Sequence, residues 1–138
     1  MSLETDAIAY MVEDDPPLVM YVGEQHDGLR LLLASFGVDE AVIVTAWNPG
    51  GLKASYDDNI DYQAALLEAI EAHRLNYFVG HSEHPQSGHI ADNLLVLGLD
   101  REQGRELAAQ FGQGEFVWLS IAGTPELVPV TVEGLDND

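Results

Sequence analysis

The segment Ala41–Trp47 constrains the fold of this chain more than any other. It is an unbroken, largely β-branched run without polar alternation, the pattern of a central strand buried on both faces. Such a strand needs paired neighbours beside it and packed layers against it, which predicts a sheet that carries helices. Asp27 can cap one helix, in which Leu29, Leu32, Leu33 and Phe36 recur at i, i+3, i+4 and i+7 before Gly37 stops it. A second helix is predicted from near Asp57 to about His73. Ser55 and Asp58 there have capping-box spacing, and Ile60, Ala64 and Leu67 lie along one face. A third opens at Asp100 with Gln103, keeps Gly104, Leu107, Ala108 and Phe111 at helical spacing, and ends at Gly112.

Around Ala41–Trp47, further strands are predicted at Leu18–Val22, Asn76–Val79 and Leu94–Leu99, with a hairpin of Glu115–Ile121 and Leu127–Thr131 around Gly123-Thr124-Pro125. Pro129 cannot donate to a ladder, so the last strand belongs at an edge. His81–His89, with Pro85 and Gly88, reads as a polar loop. The order is β-α-β-α-β-β-α-β-β: an α/β (α+β) fold with a single mixed sheet of about six strands and three helices covering at least one face. Residues 1–138 form one domain, with its core at about 18–132 and acidic, frayed ends at Met1–Pro17 and Glu133–Asp138. No G-x-G-x-x-G or G-x-x-x-x-G-K follows any strand, so neither a Rossmann unit nor a P-loop is expected.

Composition narrows the function classes. The chain has no cysteine, which removes disulfides, thiolate metal sites and a catalytic thiol. No apolar run approaches the roughly 18 residues needed to span a bilayer. Glu4 and Asp6 stand where a secretory signal carries positive charge, so the cytoplasm of a bacterium or archaeon is the expected compartment. Twenty-four acids face five bases (Arg30, Lys53, Arg74, Arg101 and Arg105), for a formal net charge of −19. Nucleic acid and anionic membranes both require a basic footprint, so neither is an expected partner. The acidity reads as solubility or adaptation to high salt, as a surface that recruits a basic protein, or as a nucleic-acid mimic. The acids are dispersed rather than strung in a phosphate-like row, which weighs against the mimic.

Thr45-Ala46-Trp47-Asn48-Pro49-Gly50-Gly51 is the least ordinary segment. A buried strand ends, the chain turns sharply and a helix begins, which is where ligands gather in open α/β sheets. Asn48 can accept a bond from backbone beyond Pro49, and the two glycines permit positive φ. The same residues also suit a turn that needs them for its shape alone. Lys53 is the single lysine and lies beside Gly50 and Gly51, but Asp57 and Asp58 occupy the helix start where an anion would sit, so a phosphate cradle is disfavoured.

Thr45–Gly50, with Ser55 and Asn59 opening a helix, Leu94–Leu99, and Phe111-Gly112-Gln113 before a strand, resembles the bacterial family called domain of unknown function 3293. The resemblance runs from about Leu18 to Val128. It implies that Trp47, Asn48, Asn59 and Gln113 belong to one shared feature. The family carries no assigned activity, so no catalytic residue follows from it. The family pattern has a Trp-x-Glu-like element before the fourth strand, where this chain has Gly88-His89-Ile90-Ala91-Asp92-Asn93.

Read as chemistry, Asn48, Asn59 and Gln113 are amides, which donate and accept without titrating. They suit recognition of a neutral polar group, and they serve equally as buried fasteners between loops. A separate candidate is the loop bearing His81, His84 and His89 with Glu83 and Asp92, whose imidazoles and carboxylates are metal-ligand types. Its spacing fits no helical ligand pair, and a polar surface loop explains it as well. Ser55 and Ser82 lie in no nucleophile elbow. The leading expectation is a small polar molecule bound near the Thr45–Gly51 turn through Trp47, Asn48, Asn59 and Gln113, with no cofactor implied. The alternatives are an acidic module for a basic protein partner, or a metal-dependent enzyme built on His81, His84 and His89.

Overall fold

The computed structural model describes residues 8–14, 17–85 and 87–130. Its strands are β1 (Ala9–Val12), β2 (Leu18–Met20), β3 (Glu40–Val44), β4 (Tyr77–Glu83), β5 (Ile90–Leu97), β6 (Glu115–Ser120) and β7 (Glu126–Pro129). Its α-helices are α1 (Asp27–Ser35), α2 (Tyr56–Ala72) and α3 (Arg101–Gln110), with a short 3-10 turn at Pro49–Gly51. The seven strands form one sheet in the order β2-β1-β4-β5-β3-β6-β7.

Each neighbouring pair is antiparallel. Because β3 and β4 both run against β5, they are parallel to each other with β5 inserted between them, and α2 joins them. By the same reasoning β5 and β6 flank β3, and α3 joins them. Two interlocked crossovers of this kind make a split β-α-β, or ferredoxin-like, core. Strands β1 and β2 extend it at one edge and β7 at the other, where Pro129 has no N–H to offer a further strand.

The helices divide between the two faces. Leu66 and Ile70 of α2 and Ala108 of α3 share a core with Val42, Val44, Leu94, Val96 and Phe116. On the other face, Leu29, Leu32 and Leu33 of α1 pack with Ala41, Ile43, Leu95, Leu97, Val117 and Leu119. Alternate residues of β3 therefore feed opposite cores, which is why Ala41–Val44 reads as a continuous apolar run. Each fully buried aliphatic side chain of these clusters contributes about 1.5–3 kcal/mol from its removal from water. At Gly104 an added Cβ would stand 2.7 Å from both Val42 Cγ1 and Phe116 Cε2, so a side chain there would push α3 off the sheet. Arg101 of α3 lies 4.4 Å over the Trp118 ring and pairs with Glu126, tying that helix to β6 and β7.

The single sheet with three helices agrees with the sequence, and several details correct it. The sheet is antiparallel rather than mixed, because the parallel pairs are each separated by an inserted strand. It has seven strands rather than about six, because Ala9–Val12, expected to be frayed, bonds to β2 on one side and β4 on the other. Of the ends expected to fray, residues 1–7, 15, 16 and 133–138 lie outside the described residues.

His81, Ser82 and Glu83 are strand rather than loop, because β1 and β5 pair with them from both sides, and β5 correspondingly starts at Ile90. At the start of α1 the cap is His26, whose Nδ1 accepts the Leu29 N–H at 3.1 Å; Asp27 instead lies in the first turn, near the positive helix end. The buried positions of α2 are Asn59, Leu66 and Ile70, while Ile60 is exposed. Among the described residues no helix is long and apolar enough to cross a membrane.

Candidate ligand site beside the Thr45–Gly51 turn

Past the end of β3 the chain reverses through Asn48, which adopts the left-handed conformation at φ 48° and ψ 61°. Asparagine tolerates that region better than most L-residues. Its side chain then closes the loop: Asn48 Oδ1 accepts the Ala54 N–H at 2.9 Å. Asn59, in the first turn of α2 and 2% exposed, faces the same residue. Its Oδ1 accepts the Asn48 N–H at 2.7 Å, and its Nδ2 donates to Asn48 Oδ1 at 2.9 Å.

Gln113 arrives from the end of α3. Its Nε2 donates to the carbonyls of Trp47 at 3.1 Å and Phe111 at 3.2 Å. The neighbouring backbone adds a bond from Gly50 N–H to Gly112 O at 2.7 Å. Trp47 is half-buried, edge-on to Tyr56 with ring centroids 6.1 Å apart. All four positions singled out in the sequence thus meet at one turn. Most of their hydrogen bonds go to backbone, which fixes the shape of the turn.

Two more side chains tie the turn to the sheet. The Thr45 hydroxyl donates to Asp92 O at 2.6 Å and accepts the Trp47 N–H at 3.1 Å. Gln63 Oε1, from α2, accepts the Ala46 N–H at 3.0 Å, while its buried Nε2 has no partner among the described residues. The orientation of the Gln63 amide follows from that bond, since a flip would set two donors against each other.

Beside the turn, the face of the sheet that carries α1 is not wholly covered. The residues packed on α1 include Ile43, Leu95 and Val117. Two positions further along the same strands stand Thr45, Asn93 and Glu115, pointing to the same face by the alternation of a strand. With Tyr10, Ser82 and Gln113 they line a cavity of about 170 Å³, walled by Ile43, Val117 and Leu127.

Asn93 is the unusual member. It is 5% exposed, its side chain makes no hydrogen bond among the described residues, and its polar atoms keep some contact with solvent. Its cross-strand neighbour is Gly80, where an added Cβ would run first into the Met11 carbonyl of β1 and then stand 3.1 Å from Asn93 Oδ1. Tyr10 shares the cavity, and its phenol is pushed up to about 12, first by burial and then by the charge of Glu115. It is a neutral donor at any ordinary pH.

Residues 44–114 match the family described as "Protein of unknown function (DUF3293)". The chain belongs to that family. The match is narrower than the Leu18–Val128 resemblance in the sequence, starting at the last residue of β3 and stopping just before β6. It contains the whole turn, α2, β4, β5 and α3, and with them Thr45, Ser82, Asn93 and Gln113. Tyr10 and Glu115 lie outside the family segment. No curated protein and no solved structure matches the chain.

Within the family segment the histidines are placed differently from the turn. His81 lies in β4, opposite Met11 on one side and Asp92 on the other. His84 and His89 close the β4–β5 connection through His84 N–H to His89 O at 2.9 Å. Among the described residues no three His, Asp or Glu side chains gather as a metal site. Sequence reasoning passed over Tyr10, Ser82, Asn93 and Glu115 as site residues. For Asn93 a signal was present: it occupies the alternation position shared with the buried Leu95 and Leu97, where an amide is out of place.

Proposed function

We propose that this domain binds a small polar molecule in the cavity bounded by Tyr10, Thr45, Ser82, Asn93, Gln113 and Glu115. The observation that carries the reading is the cavity itself: amide and hydroxyl groups of Tyr10, Thr45, Ser82, Asn93 and Gln113 line one concave surface. The Asn93 amide there makes no hydrogen bond to the described residues and keeps contact with solvent, so a ligand can engage it. At about 170 Å³ the cavity is smaller than the roughly 300–1,000 Å³ of drug-sized sites, which favours a ligand of few heavy atoms. Its polar lining is mainly amide and hydroxyl, set in apolar walls, which suits recognition over proton transfer. In this reading Asn48, Asn59 and Trp47 act on the ligand indirectly: they set the turn from which Thr45 and Gln113 reach the cavity wall.

The test is an amide-resolved NMR titration of the whole chain with a panel of small polyols, amides and amino alcohols. A binder should shift the resonances of Thr45, Ser82, Asn93 and Gln113 together. Asn93→Leu, which removes the amide and keeps its bulk, should weaken that binder about tenfold, the value of one lost polar contact. Shifts confined to other surfaces, or binding indifferent to Asn93→Leu, would reject the site.

A further inference from the structure

Resting on that reading, we propose that the molecule held beside Asn93 is a small organic cation, a primary ammonium whose other end carries a hydroxyl or carbonyl group. The charge inventory of the cavity points there first. Among the described residues, Glu115 is the one carboxylate that lines it, and no lysine, arginine or histidine does. The three ion pairs among the described residues are Arg30 with Asp27, Arg101 with Glu126 and Arg105 with Glu102, and none of them engages Glu115. Its carboxylate is exposed, at the rim of the cavity, with no counter-charge from the described residues.

The hydrogen-bond inventory agrees. Thr45 commits its hydroxyl proton to Asp92 O, and Gln113 commits its Nε2 to two carbonyls, which leaves Gln113 Oε1 as an acceptor. An ammonium offers three donors and no acceptor. Glu115, Gln113 Oε1 and the phenol oxygen of Tyr10 are acceptors for it. Asn93 and Ser82 both donate and accept, and so suit a hydroxyl or carbonyl at the other end. An anion would meet Glu115 unscreened by any cation, inside the field of a chain carrying a net charge of −19. Because the Tyr10 phenol stays protonated, it adds no second negative charge and leaves room for a single cation.

The experiment compares three compounds built on one four-carbon chain: aminobutanol, butanediol and hydroxybutyrate. They are titrated into the full chain at neutral pH and low salt, with the cavity amides as readout. Aminobutanol should bind at least about tenfold more tightly than butanediol, and hydroxybutyrate more weakly than either. Glu115→Gln should close the gap between amine and diol, chiefly by weakening the amine. Glu68→Gln, which removes the same charge from the exposed side of α2, should leave the gap open.

A gap that survives Glu115→Gln would trace the preference to the acidic surface at large and overturn the assignment. Equal binding of amine and diol, both weakened by Asn93→Leu, would overturn the cationic class while the cavity reading stands. If none of the three compounds moves the cavity amides, but another compound of the wider panel does, the cationic class again falls alone. Silence from the entire panel removes the site itself.

Discussion

Asn59 and Asn48 hold each other by two reciprocal bonds, Asn48 N–H to Asn59 Oδ1 at 2.7 Å and Asn59 Nδ2 to Asn48 Oδ1 at 2.9 Å. The first residue caught is in the left-handed conformation and the second is buried, so the pair joins a backbone irregularity to the start of a helix. Removing the amide leaves the partly buried Asn48 N–H without its acceptor. Asn59→Ala should therefore cost about 2–3 kcal/mol of stability, from a lost bond plus an unpaired donor. Urea unfolding measures it; a loss below about 0.5 kcal/mol would mean the clasp is not what holds the turn.

Gly112 makes a second, independent contact with the same turn. Its φ is +73°, and an added Cβ would lie 2.9 Å from Pro49 Cβ. Gly112→Ala combines left-handed strain with that overlap and should destabilise by roughly 1–3 kcal/mol. Gly114, two residues on, has open space around the same position and no positive φ, so Gly114→Ala should change stability little. Equal effects of the two substitutions, compared by thermal unfolding, would show that the close approach to Pro49 carries no weight.

The legible parts of the fold were those in which pattern and packing agree. Leu29, Leu32 and Leu33 repeat at helical spacing and are buried, and Asp100 with Gln103 forms both bonds of a capping box. In α2 the two diverge. Its inward face carries Asn59 among the buried Leu66 and Ile70, with Gln63 reaching Ala46, because this face grips the turn as well as the sheet. Two polar residues interrupt the apolar stripe, and the eye slides to Ile60, Ala64 and Leu67 beside it.

The β1 strand was hidden for a different reason: four residues next to an acidic, proline-bearing stretch have no signal of their own until partners on both sides are known. At the candidate site, the amides of the turn announced themselves through an unusual local sequence. Tyr10, Ser82 and Glu115 are unremarkable residues gathered from three strands, and long-range pairing alone brings them together.

Asn93 gives a prediction about stability that differs from most core substitutions. Its amide makes no hydrogen bond to the described residues and keeps contact with solvent, so the fold draws little from it. Asn93→Leu, which keeps the bulk and removes no bond of the fold, should change stability by less than about 1 kcal/mol. A larger loss of stability in chemical denaturation would show that the amide is satisfied within the protein, and would undercut the ligand reading.

Tyr10 ties the cavity to pH. Its phenol is raised from 10.0 to about 12 in the folded chain, with burial the larger cause and Glu115 the second. A group whose folded pKa lies above its unfolded value contributes stability that is complete below the unfolded value. That contribution is lost as pH rises toward the folded one, because the unfolded phenol ionises first. The window is therefore between about pH 10 and 12, with a loss of the order of 2 kcal/mol across it. Tyr10→Phe has no proton to lose, so the stability difference between it and the native chain should narrow or reverse through that window. Glu115→Gln should lower the phenol midpoint, followed by phenolate absorbance, yet leave it above 10.0 because burial remains. If the midpoint is unmoved by Glu115→Gln, the carboxylate does not face the phenol, and the cavity is not the shared pocket of β1 and β6 described above.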